Sequence, residues 1–232
     1  MPGLLQIFYE PGKVFERVRD TGAWMVPFVA TVLVIMLSAG LAVSLIGMEN
    51  ITRKQMESNP KIVEQLGQQK IDQIVHDSNT PARKALVFVT SALGGAIYLL
   101  VIAGLFAGLL SLMASKATYK QVLGATAYAM FPFAVIGGVM SALIITLSND
   151  RSELDMRNLI ALNPGAFLNK ESTGKPLYSL ASSLDLLSFG QIALISYGLS
   201  KVSGVTFTKC LLIVVVLWGI YVLGKAGVAA AF

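Results

Sequence analysis

Apolar and polar positions are sorted along this chain into blocks. Residues 24–47, 85–115, 121–149 and 210–224 contain no Asp, Glu, Lys or Arg, and 177–200 contains only Asp185. A bilayer's hydrocarbon core is about 30 Å thick and an α-helix rises about 1.5 Å per residue, so about 20 mostly apolar residues span it. The first three blocks reach that length, and the fourth reaches it with one carboxylate inside. The fifth is short between Lys209 and Lys225. Lysine stems can lie along the apolar region while their heads reach the interface, so it can still cross. The pattern predicts five transmembrane helices, near 24–47, 86–113, 121–147, 180–199 and 206–228. The expected fold class is all-α, a polytopic membrane helical bundle.

Ahead of the first span lies an amphipathic segment, 1–23, here set apart from a membrane domain at 24–232. Leu4, Ile7, Phe8, Pro11, Phe15 and Val18 fall near one face at helical spacing, while Gln6, Glu10, Lys13 and Arg17 fall mostly elsewhere. Pro11 lacks an N–H and suits the first position of a short helix. Phe8, Pro11, Phe15 and Arg17 therefore mark an interfacial helix that lies on the inner leaflet or docks on the bundle. A packed lead-in with no lipid or partner role fits the same pattern.

Composition sharpens this picture. The 232 residues are 55% hydrophobic and 13% charged, against about 25% charged in a soluble domain. The five blocks hold 123 residues with one charge, and the other 109 hold 30. This excludes a disordered or collagen-like chain, and too little sequence remains to wrap five apolar helices in protein. The first span is longer than the apolar core of a cleavable signal and reads as an uncleaved signal-anchor. The net charge of +5 does not point to nucleic acid, because the basic residues flank the spans and suit anionic headgroups.

The connections set an expected topology. The short ones carry Lys116, Lys120, Lys201 and Lys209 with no acid, whereas the long ones, 48–84 and 148–176, mix both signs. Short basic loops stay in the cytoplasm. The N-terminus is thus expected inside, with both long loops and the C-terminus outside. A whole-chain Lys and Arg count, seven inside against eleven outside, points the other way, but short loops weigh more under that rule. Within the first long loop, Asn59-Pro60 opens a helix running to about Val75, read as a solvated spacer or a lid.

Candidate chemistry is sparse. Asp185 is the one ionisable residue deep in a span, and an intramembrane carboxylate is a functional-site hypothesis by default. Ser182-Ser183-Leu184-Asp185 also resembles a capping box, with Asp in place of Glu. A helix starting near Ser182 would put Asp185 in its first turn, where the dipole favours an anion. A cap predicts backbone N–H partners; a transport pathway predicts an open polar cavity. Pro132 should kink the third span and release the carbonyl of Tyr128, with the Thr126 and Tyr128 hydroxyls as nearby polar groups. Gly40/Ser44, Gly104/Gly108, Ala134/Gly138 and Gly137/Ser141 are small pairs that favour close helix packing.

His76 is the single histidine and Cys210 the single cysteine, which excludes an HExxH zinc site and an internal disulfide. There is no phosphate-cradling GxxxxGK[ST] loop, no GxSxG elbow and no second membrane aspartate beside Asp185. No catalytic, metal or cofactor set is expected.

Several stretches together resemble a known family. Phe8-Tyr9-Glu10-Pro11-Gly12-Lys13-Val14-Phe15 followed by Trp24-Met25-Val26-Pro27 is similar to the start of bacterial Yip1-domain proteins. Ala127-Tyr128-Ala129-Met130-Phe131-Pro132 looks like that family's third-span Tyr-x-x-x-Pro element. Leu184-Asp185-Leu186-Leu187, then Gly198 to Gly204, resembles its Asp-containing fourth span and Gly-rich turn. The aromatic residue often found soon after the Asp is displaced here to Phe189. The resemblance implies a five-span integral membrane protein with a cytoplasmic N-terminus, in a bacterial inner membrane. Eukaryotic members are linked to vesicle trafficking and small GTPases, a role not carried over to this chain. The expected function is a non-enzymatic scaffold or membrane-organising protein, whose partners are the lipid bilayer and other membrane proteins or a second copy. The alternative is a small transporter or channel using Asp185 and the kinked third span.

Overall fold

A computed structural model of the chain describes residues 3–58, 60–151, 154 and 158–231. Among them there are helices and no strands. A short 3-10 turn, Leu4–Phe8, leads into α1 (Pro11–Thr21), which starts on Pro11 and stops where Gly22 turns left-handed at φ 64°. Then come α2 (Met25–Ile46), α3 (Met48–Glu57), α4 (Pro60–Ser78), α5 (Pro81–Leu112) and α6 (Tyr119–Leu147). A 3-10 turn, Pro164–Phe167, precedes α7 (Lys170–Thr173), α8 (Lys175–Ser183), α9 (Leu186–Ser203) and α10 (Phe207–Ala231).

Helix starts follow local chemistry. Thr80 caps α5, its hydroxyl accepting from the Arg83 N–H, with Pro81 at the first position. Thr118 and Gln121 form a reciprocal capping box at the start of α6. α4 contains the predicted helix from Pro60 but is interrupted at Gly67, whose φ is 69°; Asn59 lies outside the described residues.

Four helices, α2, α5, α6 and α10, are long and apolar enough to cross a membrane, and the bent pair α8 and α9 passes the same test when the two are taken together as one span. The chain is a helical membrane bundle. The fourth span, however, is not the continuous helix expected over 180–199. It bends by 52° between Ser183 and Leu186, where the α8 ladder ends on Leu184 and Asp185 starts that of α9.

Successive spans run in opposite directions. The N-terminal end carries the Leu4–Phe8 turn, α1 and the connections after α5 and α9. The far end carries α3, α4, the connection after α6, α8 and the end of α10. α6 is the axis, packing on α2, α5 and α9, and residues from Val122 to Pro132 are all buried. The outward faces stay apolar, with Leu86, Leu93, Ile97 and Val101 of α5 exposed, as lipid requires.

Small residues matter at some predicted positions and not at others. A Cβ on Gly40 would strike the Phe88 ring, and one on Gly138 would sit 2.5 Å from Ser38 Oγ, so both let neighbouring helices approach. Gly104 and Gly108 face open space instead. Their spacing matches the close-packing pattern, but they lie on a face no other helix covers.

Candidate functional site

The N-terminal end is closed by α1. Val14, Phe15 and Val18 are 0% exposed, and Ile7 of the preceding turn is 2% exposed. Phe15 meets the edge of Tyr197 at 5.9 Å and lies over Gly198, where a Cβ would come within 2.7 Å of the ring. Lys201 of α9 pairs with Glu16 at 3.1 Å, and the Gln121 amide donates to the Arg19 carbonyl. The predicted amphipathic helix is therefore docked on the bundle. Phe8 is half exposed and packs edge-on against Phe131 at 6.2 Å, while Arg17 faces outward. On its polar side, Lys13 bonds Glu10 at 2.6 Å. That bond, with a second from Gln6, holds the Glu10 carboxyl below its ordinary value, and Glu10 in turn raises Lys13.

Tyr128 lies beneath this end, 1% exposed in the core cluster. Pro132 sits four residues on, yet α6 runs unbroken from Tyr119 to Leu147. The helix is continuous through the proline at which a kink was expected. Thr31 of α2 places its hydroxyl 2.8 Å from the Pro27 carbonyl and 3.3 Å from the Ala127 carbonyl, supplying a donor from a neighbouring helix beside the proline. Thr126 instead bonds its own helix at the Val122 carbonyl, 2.8 Å away.

The far end is polar. Asp185 is the N-cap of α9, one residue before the helix, and not a first-turn acid of a helix begun at Ser182. Its Oδ1 accepts from the Leu187 N–H at 2.8 Å and the Ser188 N–H at 3.2 Å. The Leu186 N–H reaches the Leu162 carbonyl, and the Phe189 N–H the Asp185 carbonyl, both at 3.1 Å. All four N–H groups at the start of α9 are thus satisfied, two of them by one carboxylate oxygen. The loop that supplies Leu162 is held by Asn158 and Asn163, which exchange amide bonds, the shorter at 2.7 Å, and by a 3.3 Å bond from Asn158 to the Tyr178 hydroxyl.

Asp185 also faces an open recess of about 500 Å³, lined by Ser38, Ser141, Asn158, Asn163 and Ser188 among others. Both surroundings anticipated for it, backbone donors and a polar cavity, are present together. Arg151 stands at the same end of the bundle. Its Nε donates to the Ile145 carbonyl and its guanidinium to the Leu45 carbonyl, each at 3.1 Å, tying the C-terminal ends of α6 and α2. Lys225 of α10 reaches Ser183 Oγ at 3.2 Å. Asp185 and Tyr128 are not brought together: one lies at the far end and the other under α1. Among the described residues no cluster of three His, Cys, Asp or Glu side chains could hold a metal.

The Yip1 domain family matches residues 5–228. The chain belongs to the Yip1 domain family. No curated protein and no solved structure matches it. The Yip1 match starts inside the Leu4–Phe8 turn and ends in α10, so it takes in the docked α1 as well as every span. Arg151, Asn158, Asn163, Ser38 and Thr31 are the residues at these two Yip1-domain sites that the sequence pattern did not single out.

Proposed function

We propose that this Yip1-domain chain is a non-enzymatic membrane scaffold that holds another membrane component against its N-terminal end. The observation that carries the reading is the docked α1. A helix fixed by Val14, Phe15 and Val18 presents Lys13, Arg17 and Arg19 on a surface already ordered, so a partner would not have to order it on binding. We place this end in the cytoplasm. The connections bearing Lys116, Lys120, Lys201 and Lys209 lie at the same end as α1, which supports that orientation. The C-terminus is then extracytoplasmic, and the resemblance to bacterial members favours the inner membrane. Photo-crosslinking groups at Lys13, Arg17 and Arg19, compared with Gln68 on α4, test the scaffold in native membranes. Adducts specific to the α1 positions are expected. Monomer alone, or equal adducts at Gln68, overturns the reading.

One observation favours a second reading, a small transporter or channel: the open polar recess at Asp185. Against it, Oδ1 of Asp185 is engaged with α9 and α6 offers no broken segment. Solute flux in proteoliposomes that falls in Asp185→Asn supports transport. Unchanged flux removes Asp185 from any pathway.

A further inference from the structure

A lateral groove of about 630 Å³ opens between α5, α9 and α10, within the size range of about 300–1,000 Å³ typical of ligand sites. Its lining is graded along the helix axes. On α10, Val214, Leu217, Trp218 and Tyr221 share one face at positions i, i+3, i+4 and i+7, and Lys225 stands one turn beyond Tyr221. On α9, Ile195, Ile192, Gln191 and Ser188 follow in the same sense, with Asp185 one turn beyond Ser188. From the far end inward, two charged residues stand one turn outside the groove, and the lining itself is then polar but uncharged, then apolar.

The polar level is open. Gln191, Ser188, Tyr98 and Tyr221 all line the groove, and none of their side chains makes a hydrogen bond among the described residues. Ser196 on the same α9 bonds its own Ile192 carbonyl at 2.7 Å. An amide left open beside hydrocarbon is costly, so polar atoms of a ligand belong at that level. Ser188 also lines the Asp185 recess, so recess and groove share a wall. Asp185 and Lys225 flank the α8–α9 break and neither is in an ion pair among the described residues. On α2, Thr31 and Ser44 bond their own helix carbonyls, whereas Ser38, which faces the recess, bonds nothing among the described residues.

We propose that this surface holds one zwitterionic phospholipid with a primary-ammonium head. Lys225 meets the phosphate, and the free Oδ2 of Asp185 with the Ser38, Ser141 and Ser188 hydroxyls takes the ammonium. Gln191, Tyr98 and Tyr221 meet the ester level, and an acyl chain lies along Phe106, Ile195 and Leu217. Charge complementarity selects this occupant. One cation and one anion stand unpaired at the mouth, and the hydroxyl-rich recess rewards N–H donors that a quaternary amine lacks.

The test is lipid retention. The full chain is reconstituted in nanodiscs of equal parts phosphatidylethanolamine, phosphatidylcholine and phosphatidylglycerol, then released for native mass spectrometry. One phosphatidylethanolamine should stay bound per chain, in preference to the other two. Asp185→Asn and Lys225→Gln should each lower its retention about tenfold, the effect of one charge-assisted contact. Asn is as good an N-cap as Asp, so Asp185→Asn should keep the fold, and Lys225→Gln changes an exposed side chain whose one hydrogen bond, to Ser183 Oγ, a Gln amide can also donate. Equal retention of the three lipids, preference for phosphatidylglycerol, no retained lipid, a second chain in the groove, or phosphatidylethanolamine retention unchanged in both variants overturns the proposal.

Discussion

At the N-terminal end the bundle is closed by carbon: Val14, Phe15 and Val18 of α1 are fully buried against α6 and α9, and the charged groups of α1 stay outside. At the far end it is closed by polar atoms. Asp185, the Leu162 carbonyl and the Arg151 guanidinium take up the helix termini of α9, α6 and α2, beside a recess open to polar ligands. Close packing makes one end sensitive to volume, because a buried ring removed leaves a cavity. Hydrogen-bonded closure makes the other end sensitive to the chemistry of single atoms, at smaller cost per change. The first arrangement suits a fixed platform and the second suits a site that exchanges ligand.

The largest expected effect breaks the first end. Phe15→Ala should cost about 3–5 kcal/mol, the usual range for a buried Phe, read as a lowered melting temperature of the solubilised protein. A loss below about 1 kcal/mol would mean that α1 rides on the bundle without closing it. At the far end, Asp185→Ala should cost about 0.5–2 kcal/mol, the value of an N-cap, while Asp185→Asn stays near the native melting temperature. If Asn falls as far as Ala, the negative charge rather than the cap is the stabilising element. Between the ends, Thr31→Val removes the hydroxyl shared by the Pro27 and Ala127 carbonyls. Interhelical hydrogen bonds in membranes average about 0.6 kcal/mol, so a drop of that order is expected. A neutral result would leave α6 passing Pro132 without help from α2.

What could be read from the sequence follows from how local each cause is. Lipid demands apolar side chains on every outward face, so charge-free blocks marked the four long crossing helices, and the block holding Asp185 the bent α8–α9 pair, without tertiary knowledge. The docking face of α1 was visible in Phe15 and Val18, but Val14 escaped because the face was drawn through Pro11 and Phe8, which belong to the turn and the helix start. The break at Asp185 was hidden because an apolar block looks the same whether one helix or two fill it. Only the carboxylate's choice of Leu187 and Ser188 as partners decides it. Arg151 was unreadable for a different reason. Its worth depends on meeting the Leu45 carbonyl, 106 residues away, and nothing in its neighbours signals that. Ser38 and Ser141 likewise differ from other helix serines only in what lies opposite them.

The smallest expected effect separates the ends by pH. Lys13 holds the Glu10 carboxyl below its ordinary value of 4.5, so the folded state takes up that proton less readily than the unfolded state. Glu10 then contributes stability that is complete above the ordinary carboxylate value and is lost as pH falls through the lowered one. Lys13 is raised above its ordinary 10.5, so its contribution is complete below that value and is lost as pH rises through the raised one. Lys13 is exposed and Glu10 only partly covered, so water screens the pair and the two limbs should be shallow. Melting temperature followed against pH should show both limbs in the native protein and neither in Glu10→Gln, which removes the pair while leaving Val14, Phe15 and Val18 in place. An acid limb of undiminished size in Glu10→Gln would assign it to other carboxylates.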